Sequence, residues 1–218
     1  MQQFEDTDHD KKLRRRLVNG IREKGINDVR GLEAINRIPR QFFMPAELAD
    51  MAYEDRAFPI GEGQTISQPY TVAYQTQLLN VQSEDRILEI GSGSAYQAVI
   101  LALLADEVFT IERQRKLFEK NREFDFLKRF ENLFFFYGDG YEGLPQYAPF
   151  DKILITAAAP YVPPKLVEQL KWGGKMVLPL GKEQPQRMMR ITKSENGEIR
   201  EEYFEHFSFV PMLQGKNE

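Results

Sequence analysis

Cysteine is absent from the chain. Thiol nucleophiles, thiolate metal sites and disulfides are thereby excluded, whatever the fold. Histidine is nearly absent too: His9 lies in a polar amino-terminal stretch and His206 near the carboxyl end. A Ser-His-Asp triad or a His-rich metal centre would have to recruit one of these two, and no supporting motif surrounds either. Both read as surface or packing residues, and no metal is expected. No apolar run approaches the roughly 18 residues of a membrane span, and the amino terminus lacks the apolar stretch of a signal peptide. The expectation is a cytoplasmic protein with no membrane partner. A basic excess is missing as well. With 29 Lys and Arg against 33 Asp and Glu, the net charge is −4, which gives no footprint for a nucleic-acid partner.

What is present is enough apolar material, 42% of 218 residues, to bury a core as one domain with additions. Its organising stretch is Arg86-Ile87-Leu88-Glu89-Ile90-Gly91-Ser92-Gly93-Ser94-Ala95-Tyr96-Gln97. The apolar run breaks at Gly91 and a helical pattern begins a few residues later, as in a buried strand turning sharply into a helix. Gly91 and Gly93 let the backbone turn freely and approach a ligand closely, and the helix that follows would point unpaired N–H groups at it.

Two nucleotide motifs fail here. A dinucleotide loop wants a third small residue where Tyr96 stands, and no Gly-Lys-Ser/Thr exists for a Walker A loop. Glu89, just ahead of the first glycine, argues against an anionic pyrophosphate. It suits a ligand with ammonium and hydroxyl groups, such as S-adenosylmethionine. A tight turn with no ligand is the plain alternative. A second apolar run ends in Glu112, about 20 residues beyond Gly91, where an acidic side chain grips ribose hydroxyls in a β-α-β unit. A third run, 133–137, ends in Gly138-Asp139-Gly140, which could set Asp139 near an adenine. Taken alone, Asp139 reads first as an ordinary turn aspartate.

In chain order, Leu13, Leu17 and Ile21 at four-residue spacing mark an amphipathic helix over about 10–25, stopped by Gly25. Its basic cluster 11–16 reads as a solvated face. Asp28 can cap a second helix carrying Val29, Leu32 and Ile35, and the proline-bounded segment 38–45 suits a packed connection. The glycine- and proline-rich segment 57–69 has no obvious strand role and precedes a helix over about 70–80. Bare, Ser67 reads as that helix's cap.

Strands are expected near 86–90, 108–112, 133–137, 151–156 and 175–180, with helices at about 96–105, 114–127 and 163–171, the last ended by Gly173-Gly174. This alternation predicts a mostly parallel sheet covered by helices on both faces. Asn196-Gly197 then signals an antiparallel hairpin, and 207–212 reads as strand-like until Pro211.

Several of these segments together resemble the protein-L-isoaspartate (D-aspartate) O-methyltransferase family over about residues 10–214. The matching pieces are Pro59-Ile60-Gly61-Glu62-Gly63-Gln64-Thr65-Ile66-Ser67-Gln68-Pro69, the 88–97 loop, and 109–113. They continue with Gly138-Asp139-Gly140, 148–151 leading into Thr156-Ala157-Ala158-Ala159-Pro160, Gly173-Gly174, and Phe209-Val210-Pro211-Met212. The glycine loop is shared by many methyltransferases, whereas Gln64–Pro69 together with 156–160 is specific to this family.

The resemblance implies a Rossmann-like, S-adenosylmethionine-dependent methyltransferase sheet with an antiparallel carboxyl-terminal hairpin. An amino-terminal helical, substrate-side extension would cover 1–80 and the cofactor-binding core 81–218. It implies that Glu89, Gly91 and Gly93 line the methionine end of the cofactor, Glu112 the ribose, and Asp139 with Gly140 the adenine. Ser67 would be the active-site serine, with Gln64, Thr65 and Ile66 beside it, and Val210 would offer backbone groups to an isoaspartyl peptide. Ala95 stands where the family usually has a third glycine, and as a small, good helix former it is expected to cost little cofactor binding. The implied activity is methylation of isoaspartyl residues in damaged proteins by a monomer. Alternatives are a small-molecule methyltransferase, which leaves 64–69 unexplained, and a binding protein that keeps the cofactor pocket without chemistry.

Overall fold

The computed structural model describes residues 5–196 and 198–218. Residues 1–4 of the amino-terminal stretch and Gly197 of the expected turn lie outside the described residues. Helix α1 (Asp8–Glu23) starts where Thr7 and Asp10 form a capping box, and it buries Leu17, Val18 and Ile21. Arg14, part of the basic cluster read as solvated, is buried instead. It bonds Asp6 and Tyr53 and the carbonyl of Asn36 at 2.6 Å, so the cluster is not uniformly a surface face. Helix α2 (Val29–Arg37) is capped by Asp28, as its sequence predicts, and buries Leu32 and Ile35, but Val29 points out and is 65% exposed.

The segment assigned no strand role forms a small antiparallel hairpin, β1 (Phe58–Gly61) with β2 (Gln64–Ile66). Its turn, with Glu62 at φ 51° and Gly63 at φ 67°, has the paired positive-φ residues of a tight hairpin without the Asn-Gly or Asp-Gly that usually marks one. Helix α3 (Pro69–Leu79) begins with proline at its first turn and carries no side-chain cap, so Ser67 is not a helix cap.

The main sheet contains β3 (Arg86–Ile90), β4 (Glu107–Glu112), β5 (Leu133–Tyr137), β6 (Phe150–Ile155) and β7 (Leu170–Leu180), all parallel. Antiparallel β8 (Gln186–Lys193) and β9 (Ile199–Phe207) close it, in the order β5-β4-β3-β6-β7-β8-β9. The strands alternate strictly in the face they pack. Ile87, Val108, Leu154 and Val177 join Ile21, Leu32, Leu79 and Val99 in one cluster beneath α1, α2, α3 and α4 (Tyr96–Ala102). Leu88, Phe109, Ile153 and Met176 join Leu166 of α6 (Pro164–Gln169) in the other. Each fully buried aliphatic side chain contributes about 1.5–3 kcal/mol, and a one-residue slip would turn every one to the wrong face, so the register is strongly specified. Helix α3 falls on the extension side of the expected boundary at residue 80, yet its Gln75 reaches into the sheet and donates to the Ile155 carbonyl at 3.1 Å.

Other boundaries differ from expectation for identifiable reasons. Helix α4 ends at Ala102, and α5 (Arg115–Glu123) gives way to a 3-10 turn over Asp125–Arg129. Helix α6 stops at Gln169, and Gly173-Gly174 lie inside β7 rather than ending a helix. A Cβ on Gly174 would stand 2.8 Å from the Lys171 carbonyl and 2.9 Å from that of Asp151, at the irregularity where β7 meets β6. Beyond Phe207 the chain leaves β9 and runs along Ala158, whose N–H donates to Val210 and whose carbonyl accepts from Met212, each at 2.8 Å. The strand expected over 207–212 therefore reduces to an isolated pairing with Ala158 around Pro211.

Candidate active site

Strand β3 lies between β4 and β6, where the strand order reverses, and a crevice opens at the carboxyl ends of these strands. The glycine loop sits there under several restraints. Gly91 N and Ser92 N donate to the Ile111 carbonyl at 2.9 and 3.3 Å. The Thr156 hydroxyl, at the end of β6, donates toward the Ile90 and Gly91 carbonyls at 2.9 and 2.7 Å. Gly91 has φ 98°, and a Cβ there would lie 2.7 Å from that hydroxyl, so geometry and space both demand glycine. Ala95 takes φ 67° as the residue ahead of α4. Helix propensity is therefore the wrong measure for it: Ala95 occupies a left-handed position where alanine is strained.

The carboxylate of Glu112 holds the loop from below, accepting from Gly93 N at 2.9 Å and Gln114 N at 2.8 Å. Burial raises its pKa, against the hydrogen bonds it accepts. Glu89 pairs across the sheet with Thr110 and points to the helix-covered face. The Thr110 hydroxyl donates to its carboxylate at 2.5 Å and lies 2.7 Å from the Ser92 hydroxyl. The other oxygen of Glu89, Oε1, is buried without a partner among the described residues, and the residue is 0% exposed. Burial pushes the carboxyl up to about 8; the Thr110 bond opposes this and the neighbouring Glu112 adds to it.

A cavity of about 550 Å³ opens over the loop, within the roughly 300–1,000 Å³ of small-molecule sites. Gly91, Gly93, Glu112 and Gly140 line one side, and Gln64, Thr65, Ile66 and Ser67 another, with Val210 also in contact. The fold thus gathers expected site residues that are spread over much of the chain. Glu89 and Asp139 stand outside this lining. Glu89 is 0% exposed, covered by the loop rather than lining the cavity. Asp139 is held as a turn residue, accepting from Tyr141 N at 2.9 Å and from Gly215 N at 2.7 Å. The carboxyl-terminal tail, which carries no assignment in the sequence reading, is what occupies it.

Ser67 is half-buried; its carbonyl accepts from Arg40 Nη2 at 3.0 Å, while its hydroxyl has no hydrogen bond among the described residues. No base is bonded to it, which suits a hydrogen-bond donor better than a nucleophile. The Val210 carbonyl is taken by Ala158, and among the described residues its N–H has no partner. Sequence reasoning assigns no role to Thr156, Thr110 or Arg40. Thr156 stands inside a family motif, and Thr110 sits two residues before Glu112 on the same strand face, so period-2 spacing is the signal that points to it. His206 is exposed, as expected, but at the cavity's edge.

The sheet order, the glycine loop at the carboxyl end of β3 and the acidic residue ending β4 define a Rossmann-like methyltransferase. The cradle fits an adenosyl sulfonium donor: Gly140 also admits no side chain, since a Cβ would lie 2.5 Å from Ile90. Comparison narrows the class. The chain belongs to the protein-L-isoaspartate (D-aspartate) O-methyltransferase family, whose model matches residues 11–217. It is 46% identical to a protein-L-isoaspartate O-methyltransferase of Flavobacterium johnsoniae, over 98% of this chain and 100% of that one. It is 49% identical to the enzyme of that name from Cytophaga hutchinsonii, over 96% and 95% of the two chains. A solved structure described as a putative protein-L-isoaspartate O-methyltransferase of Plasmodium falciparum, in complex with S-adenosyl-L-homocysteine, superposes with a TM-score of 0.78 at 25% identity, covering 92% of this chain and 98% of that one. A second protein-L-isoaspartate O-methyltransferase structure gives 0.80 at 27% identity, covering 91% of this chain and 65% of that longer one.

Proposed function

We propose that the protein transfers a methyl group from S-adenosylmethionine to the free α-carboxylate of L-isoaspartyl and D-aspartyl residues in damaged proteins and peptides. The observation that carries this reading is one cavity lined both by the Gly91–Gly93 loop and by the unpaired hydroxyl of Ser67. When bound, S-adenosylmethionine supplies a methyl on a sulfonium centre, and a carboxylate of pKa near 4, ionised at neutral pH, accepts it without a general base. The demand on the protein is alignment, which can contribute roughly 7 kcal/mol or more.

Gly91, Gly93 and Gly140 let the backbone approach the donor, and Glu112 accepts from ribose hydroxyls with lone pairs its two backbone bonds leave free. Ser67 donates to the acceptor carboxylate and orients it. The Val210 N–H pairs with the peptide backbone, reading the main chain that runs through the isoaspartyl side chain without reading its sequence. The methyl ester then eliminates to a succinimide that partly reverts to aspartate. The proposal includes a monomer working in the cytoplasm; sedimentation showing a stable dimer would revise the first part.

Incubation with labelled cofactor and a matched pair of peptides, isoaspartyl and aspartyl, tests the reading. Label in the isoaspartyl peptide alone, followed by methanol release, is the expected result. Equal labelling of both peptides, or none despite normal cofactor binding, would overturn it.

A further inference from the structure

Arg40 carries a charge that none of the chemistry above uses. It lies in the 3-10 turn Arg40–Phe43, opened by Pro39, and is 0% exposed. Cations buried this deeply are ordinarily paired with carboxylates. Arg40 instead donates mostly to main-chain carbonyls: Nη1 to Ala52 at 2.7 Å and to the Met44 Sδ at 3.5 Å, and Nη2 to Ser67 at 3.0 Å and Arg56 at 3.3 Å. The rings of Phe58 in β1 and Tyr96 at the start of α4 lie 5.7 and 5.8 Å from its guanidinium carbon. Its Nε is buried with no partner among the described residues. If the site needed only filling, an apolar side chain would do so at lower desolvation cost.

These contacts run in two directions. Ser67 follows directly on β2 and precedes α3, in the short connection that faces the cavity. Tyr96 is the first helical residue after the glycine loop, and its own ring is buried. One guanidinium therefore touches the acceptor side through a hydrogen bond and the donor side through a ring face. We propose that Arg40 is a positioning residue, fixing the Ser67 main chain relative to the helix that leaves the glycine loop and so setting where the Ser67 hydroxyl points. The inference rests on the reading of Ser67 given above.

Burial pushes the Arg40 pKa down to about 10, so at neutral pH the guanidinium keeps its charge and all its donors. Its planar fork reaches separate carbonyls at once, which a lysine ammonium at the end of a flexible stem does not reproduce. Displacement of a reacting group by about 1 Å costs on the order of 100-fold in rate, so even slight freedom at Ser67 is visible in kcat.

A double-mutant cycle between Arg40→Lys and Ser67→Ala, read by isoaspartyl-peptide methylation, tests this. Ser67→Ala alone is measured first; wild-type kcat there would overturn the Ser67 reading itself, and the Arg40 proposal with it, before any Arg40 variant is made. Given the expected loss, Arg40→Lys should lower kcat about tenfold in the wild-type background, and by less than about twofold when Ser67 is already alanine. Its S-adenosylhomocysteine affinity should stay within about twofold of wild type. Ile35→Ala, equally buried in the amino-terminal cluster, should lower Tm while leaving kcat unchanged. An Arg40→Lys loss of the same factor with and without the Ser67 hydroxyl, or one that Ile35→Ala reproduces, overturns the proposal. If Arg40→Lys does not fold, Arg40→Gln, which keeps N–H donors without the charge, takes its place in the same cycle.

Discussion

On the donor wall of the cavity, the loop carrying Gly91 and Gly93 belongs to one β-α-β run over residues 86–112. It is braced by Ile111, Glu112 and Thr156 through hydrogen bonds of 2.7–3.3 Å. On the acceptor wall, Ser67 lies in a connection after a three-residue strand, and Val210 lies in a segment outside any strand, held by Ala158 and by the side chains of Gln184 and Gln186 on Phe209. On the donor wall, the loop's backbone groups are taken up by the strands beneath and beside it. The acceptor wall keeps an unpaired hydroxyl and an unpaired N–H, and unpaired polar groups are what a polar substrate can still bind. On the proposed reading, one wall holds a ligand of constant structure and the other receives peptides of many sequences.

The comparison predicts separable losses. Ser67→Ala should reduce kcat by about 100-fold, with S-adenosylhomocysteine affinity within about twofold of wild type, as steady-state kinetics beside calorimetry would read. A large loss of cofactor affinity would erase the division between walls. Gly91→Ala should do the reverse. Forcing a Cβ into the space beside Thr156 at φ 98° should cost about 2 kcal/mol, roughly 30-fold in cofactor affinity by calorimetry.

A smaller effect concerns what lies under the donor wall. A carboxyl whose folded pKa is raised contributes stability that is fully present below its unfolded value and is lost as pH rises through the folded one. For Glu89 that window runs from the ordinary carboxylate range to about 8. Wild type should therefore lose stability relative to Glu89→Gln as the pH rises from about 5 to about 8, measured by urea unfolding. Equal pH dependence in both proteins would show that Glu89 ionises freely in the fold. The smallest effect is expected from Ala95→Gly. Relief of about 1–2 kcal/mol of left-handed strain, partly offset by glycine's greater unfolded freedom, should raise stability by about 0.5 kcal/mol, a few degrees in Tm.

Much of this architecture is legible in the residues alone. The five parallel strands announce themselves as apolar runs because both their faces are buried; Gly91 and Gly93 follow from the loop that ends the first of them, and Glu112 from the end of the second. Asp28 is legible as a cap because capping is settled within three residues. Gly173-Gly174 misleads because the same dipeptide suits a helix end and a strand irregularity, and only the approach of the Asp151 and Lys171 carbonyls distinguishes them. The β1–β2 hairpin escapes sequence reasoning because its strands are too short to show a period. Asp139 cannot be placed from its own neighbourhood, since the Gly215 N–H of the tail reaches it across 76 residues of sequence.

The sequence by itself determined the alternation of strands and helices, the apolar runs that become the parallel strands, and the glycine loop, since all three depend on local backbone freedom and the burial of apolar side chains. Only the tertiary structure decided that Glu89 is sealed away from the cavity, that Arg40 is buried against the Ser67 carbonyl, and that Ser67 and Val210 share one cavity. Those outcomes depend on which groups lose water together, and that is set by contacts between distant segments rather than by neighbours along the chain.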